Sequence, residues 1–296
     1  MRGYLIYVLY RLVAVTAGRL PPAAGYLLAR QVSRVLYVVS PRLRRAVGSN
    51  MRHALGPGAD RDRVREATRK AFVNIVKGHY DLFRVARLSV DEIKDIVQTN
   101  GMHHLFHALS QGQGAVIVSA HTGNIDLVGQ LPLAHGIPIS GAVQHIQPER
   151  LFRYLLKLRQ SHGLRLIPID ESQIGLFRAL KRGEIIALPA DRDVTGHGHL
   201  IEFFGTPTRL PDGPVRVALR TGAPLIPAFV ERLPDNTFRV NVEPPLELQY
   251  TGDVEADVKH GMKLIVAAME RHISRHPDQW LVAAPVWPVD GTSPSP

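Results

Sequence analysis

"AVIVSAHTGNIDLVG", residues 115–129, is the stretch whose reading decides the fold. "AVIVSA" (115–120) is short, apolar and β-branched, which predicts a buried strand. Gly123 permits a sharp turn, and Asn124 is a good helix cap. An apolar strand that turns at once into a helix is the unit of a parallel sheet. In such sheets, sites collect where strands end and helices begin. His121 stands at that position.

The same texture continues outward. "IPIS" (137–140), "LRLIPI" (164–169), "EIIALPA" (184–190) and "APLIPAFV" (223–230) are further short apolar runs, and "TFRVNVEP" adds a late strand. They alternate with helical stretches near 102–110, 124–134, 148–161, 172–181 and 213–221. The fold class expected is α/β, a mostly parallel sheet flanked by helices. Upstream, "DRDRVREATRKAFVNIVKGHYDLFRVAR" (60–87) carries Val64, Ala67, Ala71, Phe72 and Ile75 at helical spacing, with Asp60 as its cap. Downstream, Val258, Met262, Ile265, Met269 and Ile273 mark a final amphipathic helix. The organisation expected is an arginine-rich helical entrance over 1–59, an α/β domain over 60–288 and a frayed tail over 289–296.

Charge is unevenly spread. The chain of 296 residues carries a net +10 and no cysteine, which excludes disulfides, cysteine-based zinc sites and a thiol nucleophile. Residues 1–59 hold Arg2, Arg11, Arg19, Arg30, Arg34, Arg42, Arg44, Arg45 and Arg52 and no Asp, Glu or Lys, so the remainder is nearly neutral. A one-signed segment seeks an anionic surface. Leu5, Ile6, Val8, Leu9, Leu12, Val13 and Val15, with several tyrosines, surround the first arginines. That company suits helices lying in a lipid interface rather than a nucleic-acid arm. Arg11 interrupts the first apolar run, and Arg30 with Arg34 the second, so neither is a comfortable membrane span. No clean signal-peptide cleavage site follows. The plain alternative is a pair of core helices with snorkelling arginines.

The pattern His121-x4-Asp126 places a carboxylate in the first helical turn, where it could reach back to the imidazole. Such a pair fixes a ring tautomer and favours proton uptake. With no G-x-S-x-G around Ser119, it points to a general base acting on a substrate hydroxyl. An alcohol attacking a thioester needs only this base, an oxyanion donor and positioning. The bare spacing is weak among 14 histidines, and His197 with Glu202 repeats it. His103, His104 and His107 share a predicted helix, but no third ligand or H-E-x-x-H glutamate accompanies them. "PADRDVTGHGHLIEFFGTPTRLPDG" (189–213) is the second informative region. Asp191, Arg192 and Asp193 follow a strand, and Arg209 precedes a helix start at Pro211-Asp212-Gly213. The region reads either as a phosphate or oxyanion site or as a salt-bridge cluster with Phe203 and Phe204 as core filler.

Together these blocks resemble the bacterial lysophospholipid acyltransferase superfamily, in the branch of the lipid A late acyltransferases and the phosphatidylinositol mannoside acyltransferases. "GQGAVIVSAHTGNIDLVG", "ALPADRDVTGHGHLIEFFGTPTRLPDGPVRVALRTGAPLIPAFV", "PERLFRYLLKLRQSHG" and "HPDQW" match in place and order. The resemblance implies transfer of a fatty acyl group from acyl-CoA or acyl-carrier protein to a lipid-linked hydroxyl. His121 would be the base and Asp126 its partner. Arg159 matches a family arginine near the site. Gly123, Asn124, Asp191, Arg192, Glu202 and Arg209 are the further residues expected to bind substrate. The sequence departs from the family at Ile125, where tryptophan is common, at Gln144, where glutamate is expected, and at Leu200, which takes the place of an acidic residue. No metal or redox cofactor is implied. The partners expected are membrane lipids and an acyl donor, with no nucleic acid. The location expected is the cytoplasmic face of a bacterial plasma membrane, held peripherally or monotopically. The rival readings are hydrolysis on the same fold and a non-catalytic basic membrane-binding protein.

Overall fold

The computed structural model describes residues 2–170 and 174–287. Five helices come first: α1 (Arg2–Ala17), α2 (Pro22–Val39), α3 (Pro41–Leu55), α4 (Arg61–Val85) and α5 (Val90–Asp95). Asp60 caps α4 as expected, its carboxylate accepting from the Arg63 N–H at 2.7 Å. Ser89 and Glu92 close a reciprocal capping box at α5, so both helices begin where the sequence supplies acceptors for their free N–H groups.

Strands and helices then alternate: β1 (Val97–Asn100), α6 (Met102–Ser110), β2 (Ala115–Ser119), α7 (Ile125–Val128), α8 (Leu131–Ala134), β3 (Ile139–Val143), α9 (Glu149–Arg159), β4 (Arg165–Pro168), α10 (Ile174–Lys181) and β5 (Ile185–Pro189). After β5 come β6 (His199–Phe203), β7 (Thr206–Leu210), α11 (Gly213–Thr221), β8 (Leu225–Arg232), β9 (Phe238–Val242), α12 (Val254–Arg275) and a 3₁₀ turn at Pro277–Gln279. The main sheet runs β1-β9-β8-β2-β5-β3-β4. All its neighbours are parallel except β8 and β9. The fold is therefore α/β with a mostly parallel sheet between helical layers.

Alternate residues of the central strands serve two cores, as a two-residue repeat requires. Val116, Val118, Ile186 and Leu188 pack toward α10, α11 and α12 and meet Met51 and Phe72 of the entrance helices. Ala115, Ile185, Ile226 and Ala228 face α6, α8 and α9. Helices α2 and α3 lie on α4, so the arginine-rich segment shares the core of the sheet domain.

Several local expectations are corrected. The helix expected over 124–134 is two short helices, broken at Gly129-Gln130, with Pro132 in the first turn of α8. β3 starts two residues later than its apolar run and ends at Val143. Region 189–213 also contains an antiparallel hairpin, β6–β7, that the apolar runs do not mark. The four-residue polar strand β1 is a further element the periodicity does not mark. The tail expected over 289–296 lies outside the described residues, as do residues 171–173.

Among the described residues, no helix is long and apolar enough to cross a membrane. α1 and α2 nonetheless leave large apolar side chains in solvent. Leu5, Leu9 and Leu12 line one face of α1, and Leu28, Val32, Val35 and Val39 one face of α2.

Candidate active site

The site forms where β2 and β5 end side by side. Their parallel register sets Ser119 opposite Pro189. Two residues further along each chain, His121 therefore meets Asp191. The Asp191 carboxylate is fully buried, and its Oδ1 lies 2.7 Å from His121 Nδ1. Its Oδ2 accepts from the His121 backbone N–H at 2.8 Å and from Trp280 Nε1 at 2.8 Å. Hydrogen bonds to a charged acceptor are worth about 1.5–3 kcal/mol each, so three of them hold this carboxylate firmly. Accepting from Nδ1 keeps the proton there and leaves the Nε2 lone pair as the basic site.

The electrostatics agree with a proton-binding imidazole. Burial opposes the charged ring, but the Asp191 charge and hydrogen bond outweigh it, with Asp126 adding, and the His121 pKa is raised. For Asp191, burial likewise opposes ionisation, yet His121, its N–H and Trp280 hold the carboxyl below its ordinary value.

The expectation that Asp126 orients His121 is thus corrected. Asp126 sits in the first turn of α7 and faces α9, where Arg159 grips it: Nε lies 2.8 Å from Oδ1 and Nη2 3.1 Å from Oδ2. The physical reason is geometric, because the Nδ1 edge of the ring faces β5 while the α7 turn faces α9. Gln130, wholly buried, ties the pair's backbones together by donating to Asp126 O at 3.1 Å and Arg159 O at 2.8 Å.

The turn between His121 and α7 is built for its place. Gly123 has φ +59°, and a Cβ there would come within 2.6 Å of Val230 O, so only glycine fits. Its N–H donates to Gln279 O at 3.1 Å, and Leu281 N–H donates to His121 O at 2.7 Å. The "HPDQW" block clamps the histidine loop from the far end of the chain. Asn124 is a scaffold residue here rather than a substrate contact: its Oδ1 caps α7 and its Nδ2 donates to Asp81 Oδ2 at 3.1 Å. Asp81, fully buried, also accepts from Tyr26 Oη at 2.7 Å and pairs with Arg232. That network joins α2 and α4 to the loop that carries His121.

An apolar cavity of about 480 Å³ opens beside the imidazole. His121, Asp126, Arg159 and Arg192 stand among its lining, with Gln144 and Ile125 at the positions that depart from the family. Arg192 makes no side-chain hydrogen bond or ion pair among the described residues. His79 of α4 lines the cavity too, and its Nδ1 lies 3.2 Å from Tyr10 Oη of α1. Burial leads the depression of its pKa, so its ring is kept neutral. Neither Tyr10 nor His79 carries a motif, and only their packing in the folded chain marks them.

Two expected substrate contacts lie elsewhere. Glu202 and Arg209 are exposed on the β6–β7 hairpin, outside the cavity lining. Arg209 Nη1 donates to Gly198 O at 2.9 Å. The helix start after Pro211 already holds a carboxylate, Asp212, paired with Arg216 at 2.7 Å. Asp193 is absorbed by its own loop, accepting from the Thr195, Gly196 and Gly198 N–H groups. Phe203 is core, stacked on Trp287. Among the described residues, no three His, Asp or Glu side chains gather as metal ligands would.

The sequence model of the family described as "Bacterial lipid A biosynthesis acyltransferase" matches residues 1–287. The chain belongs to that family. A phosphatidylinositol mannoside acyltransferase from Mycobacterium tuberculosis is 31% identical over 195 residues, which are 64% of this chain and 60% of the relative. The phosphatidylinositol mannoside acyltransferase of Mycolicibacterium smegmatis is 28% identical over 214 residues, 71% of this chain and 68% of that one. The matched segment therefore spans about three fifths of the Mycobacterium tuberculosis relative's length. Among solved structures, the 1-acyl-sn-glycerophosphate (LPA) acyltransferase PlsC from Thermotoga maritima is 12% identical, with a TM-score of 0.38 over 88% of this chain and 99% of its own.

Proposed function

We propose that this protein moves a fatty acyl group from an acyl thioester, acyl-CoA or acyl-carrier protein, to a hydroxyl of a membrane glycolipid. The observation that carries the reading is a histidine, tethered to a buried aspartate, at the wall of an apolar cavity. His121 Nε2 takes the acceptor's hydroxyl proton as its oxygen attacks the thioester carbonyl. Asp191 stabilises the imidazolium that forms. Arg192, in the cavity wall and without a side-chain hydrogen bond among the described residues, balances the negative charge on the carbonyl oxygen of the tetrahedral intermediate. Collapse breaks the carbon–sulfur bond, and the imidazolium proton goes to the departing thiolate. Asp126 and Arg159, paired with each other, shape the acceptor side of the cavity. No metal or redox group has a role in these steps.

The relatives named for phosphatidylinositol mannoside acylation favour a mannosylated phosphoinositide as the acceptor. The apolar faces of α1 and α2, flanked by Arg11, Arg19, Arg30 and Arg34, favour peripheral docking on an anionic bilayer at the cytoplasmic face of the plasma membrane. The test is His121→Ala, assayed with a labelled acyl thioester and detergent-dispersed phosphatidylinositol mannoside. Transfer should vanish in a variant that melts like the parent. Undiminished transfer refutes the assignment, and thioester cleavage that proceeds equally without acceptor makes the protein a hydrolase instead.

A further inference from the structure

We propose that a single rung across the sheet, Ile117–Ala187–Gly141, sets how long an acyl chain the cavity accepts. The inference rests on the acyl-transfer reading above and adds the element that selects the donor. Ile117 pairs with Ala187, and Ala187 with Gly141, so the three lie in one line over strands β2, β5 and β3. All three line the cavity. Ile117 and Ala187 sit mid-strand in the centre of the sheet, yet each is only half-buried, while Val116, Val118 and Ile186 on the opposite face are closed off. The uncovered surface in the middle of this sheet is the cavity floor.

The depth follows from strand geometry. His121 lies four residues beyond Ile117, and Asp191 four beyond Ala187, which is about 13 Å at ~3.3 Å per residue. Ile139 and Ile185, directly paired, lie one rung deeper, at about 20 Å by the same spacing. A chain whose carbonyl sits at His121 and whose tail runs down the sheet crosses the Ala187 rung and ends at the Ile139–Ile185 rung. At the crossing the side chains are small: a methyl at Ala187 and none at Gly141. At the end they are β-branched and bulky. Gly141 is not among the glycines with positive φ, so its backbone does not demand glycine. A Cβ there would stand 3.3 Å from Leu166 Cδ2 and 3.4 Å from Ala187 O. What the missing side chain leaves is room over the rung.

Two substitutions move the limit in opposite directions. Ala187→Phe fills the crossing, and Ile185→Ala opens the end. Parent and variants are given an equimolar ladder of acyl-CoAs from decanoyl to stearoyl, with phosphatidylinositol mannoside as acceptor, and the products are counted by mass spectrometry. A pocket discriminates added methylenes by about tenfold or more. Ala187→Phe should therefore lower the ratio of longest to shortest product at least about tenfold, and Ile185→Ala should raise that ratio. If Ala187→Phe fails to fold, the shift in Ile185→Ala decides alone. An active parent whose folded variants keep its length profile overturns the rung as the selector. A parent that transfers from neither the acyl-CoA ladder nor the same chains on acyl-carrier protein overturns the acyl-transfer reading instead.

Discussion

Asp191→Asn isolates the histidine's partner, and its cost can be worked from the contacts. Three donors aim at two oxygens: the His121 ring at Oδ1, the His121 backbone and the Trp280 indole at Oδ2. An asparagine offers one oxygen and one NH₂. Satisfying two donors with its oxygen is the better arrangement, and that turns the NH₂ toward Nδ1. Two donors cannot face each other, so the ring must carry its proton on Nε2, the nitrogen that has to accept one. A wrong tautomer of this kind costs about 10⁴ in kcat, or about 5.5 kcal/mol of transition-state stabilisation. The assay is acyl transfer across pH, with circular dichroism to confirm folding. As the proposed base, His121 works only when neutral, and its pKa is raised in the parent. Parent activity should thus fall on acidification through a value above the ordinary imidazole pKa of about 6.5. Removing the carboxylate should move the acidic limb of the residual kcat/KM downward. Asp126→Asn is the control. Its oxygen can still accept from Arg159, and the tautomer of His121 is untouched, so its loss should be about tenfold or less. The reasoning is refuted if Asp191→Asn keeps more than about a tenth of parent activity, or if Asp126→Asn is the more crippled of the two.

Other outcomes follow from single contacts. Gly123→Ala must hold φ +59° with a Cβ 2.6 Å from Val230 O, so it should lose about 2 kcal/mol or more in urea unfolding; an unchanged midpoint contradicts this. Gly25→Ala would set a methyl about 2.0 Å from the Tyr80 ring, forcing α2 off α4, and its melt should show a loss of about 1–3 kcal/mol. Leu9→Glu with Leu12→Glu places charge on the exposed face of α1. Co-sedimentation with phosphatidylglycerol vesicles should fall while turnover of detergent-dispersed substrate persists, and undiminished sedimentation would count against docking through α1.

Local patterns carried much of the fold. β2, β5 and β8 are largely apolar runs with glycine or proline at or beside one end, and Asp60 caps α4 where the apolar period begins. The elements that escaped reading are those whose stability is not local. β1 is four mostly polar residues at a sheet edge, held by pairing to β9. The hairpin β6–β7 is obscured by Gly205 and Pro207, and it gains order from Phe203 packing on Trp280 and Trp287.

The site shows the same divide more sharply. His121 could be singled out because its strand, turn and helix are contiguous. Its partner could not, because spacing in the chain measures only local reach. Asp126, five positions on, is turned by α7 toward an arginine 33 residues away. Asp191, 70 residues on, arrives through the pairing of β2 with β5, which puts equal distances past Ser119 and Pro189 side by side. One signal was present: two apolar strands, each followed two residues later by a group able to exchange a proton. It becomes decisive only once those strands are known to be neighbours in register. The two acids of this site therefore answer different physical questions. One is fixed by helix geometry and stands in the cavity wall, and the other is fixed by sheet register and holds the His121 ring at Nδ1. A substitution that slid β5 by one residue against β2 would leave every motif in the sequence intact and would still separate His121 from its carboxylate.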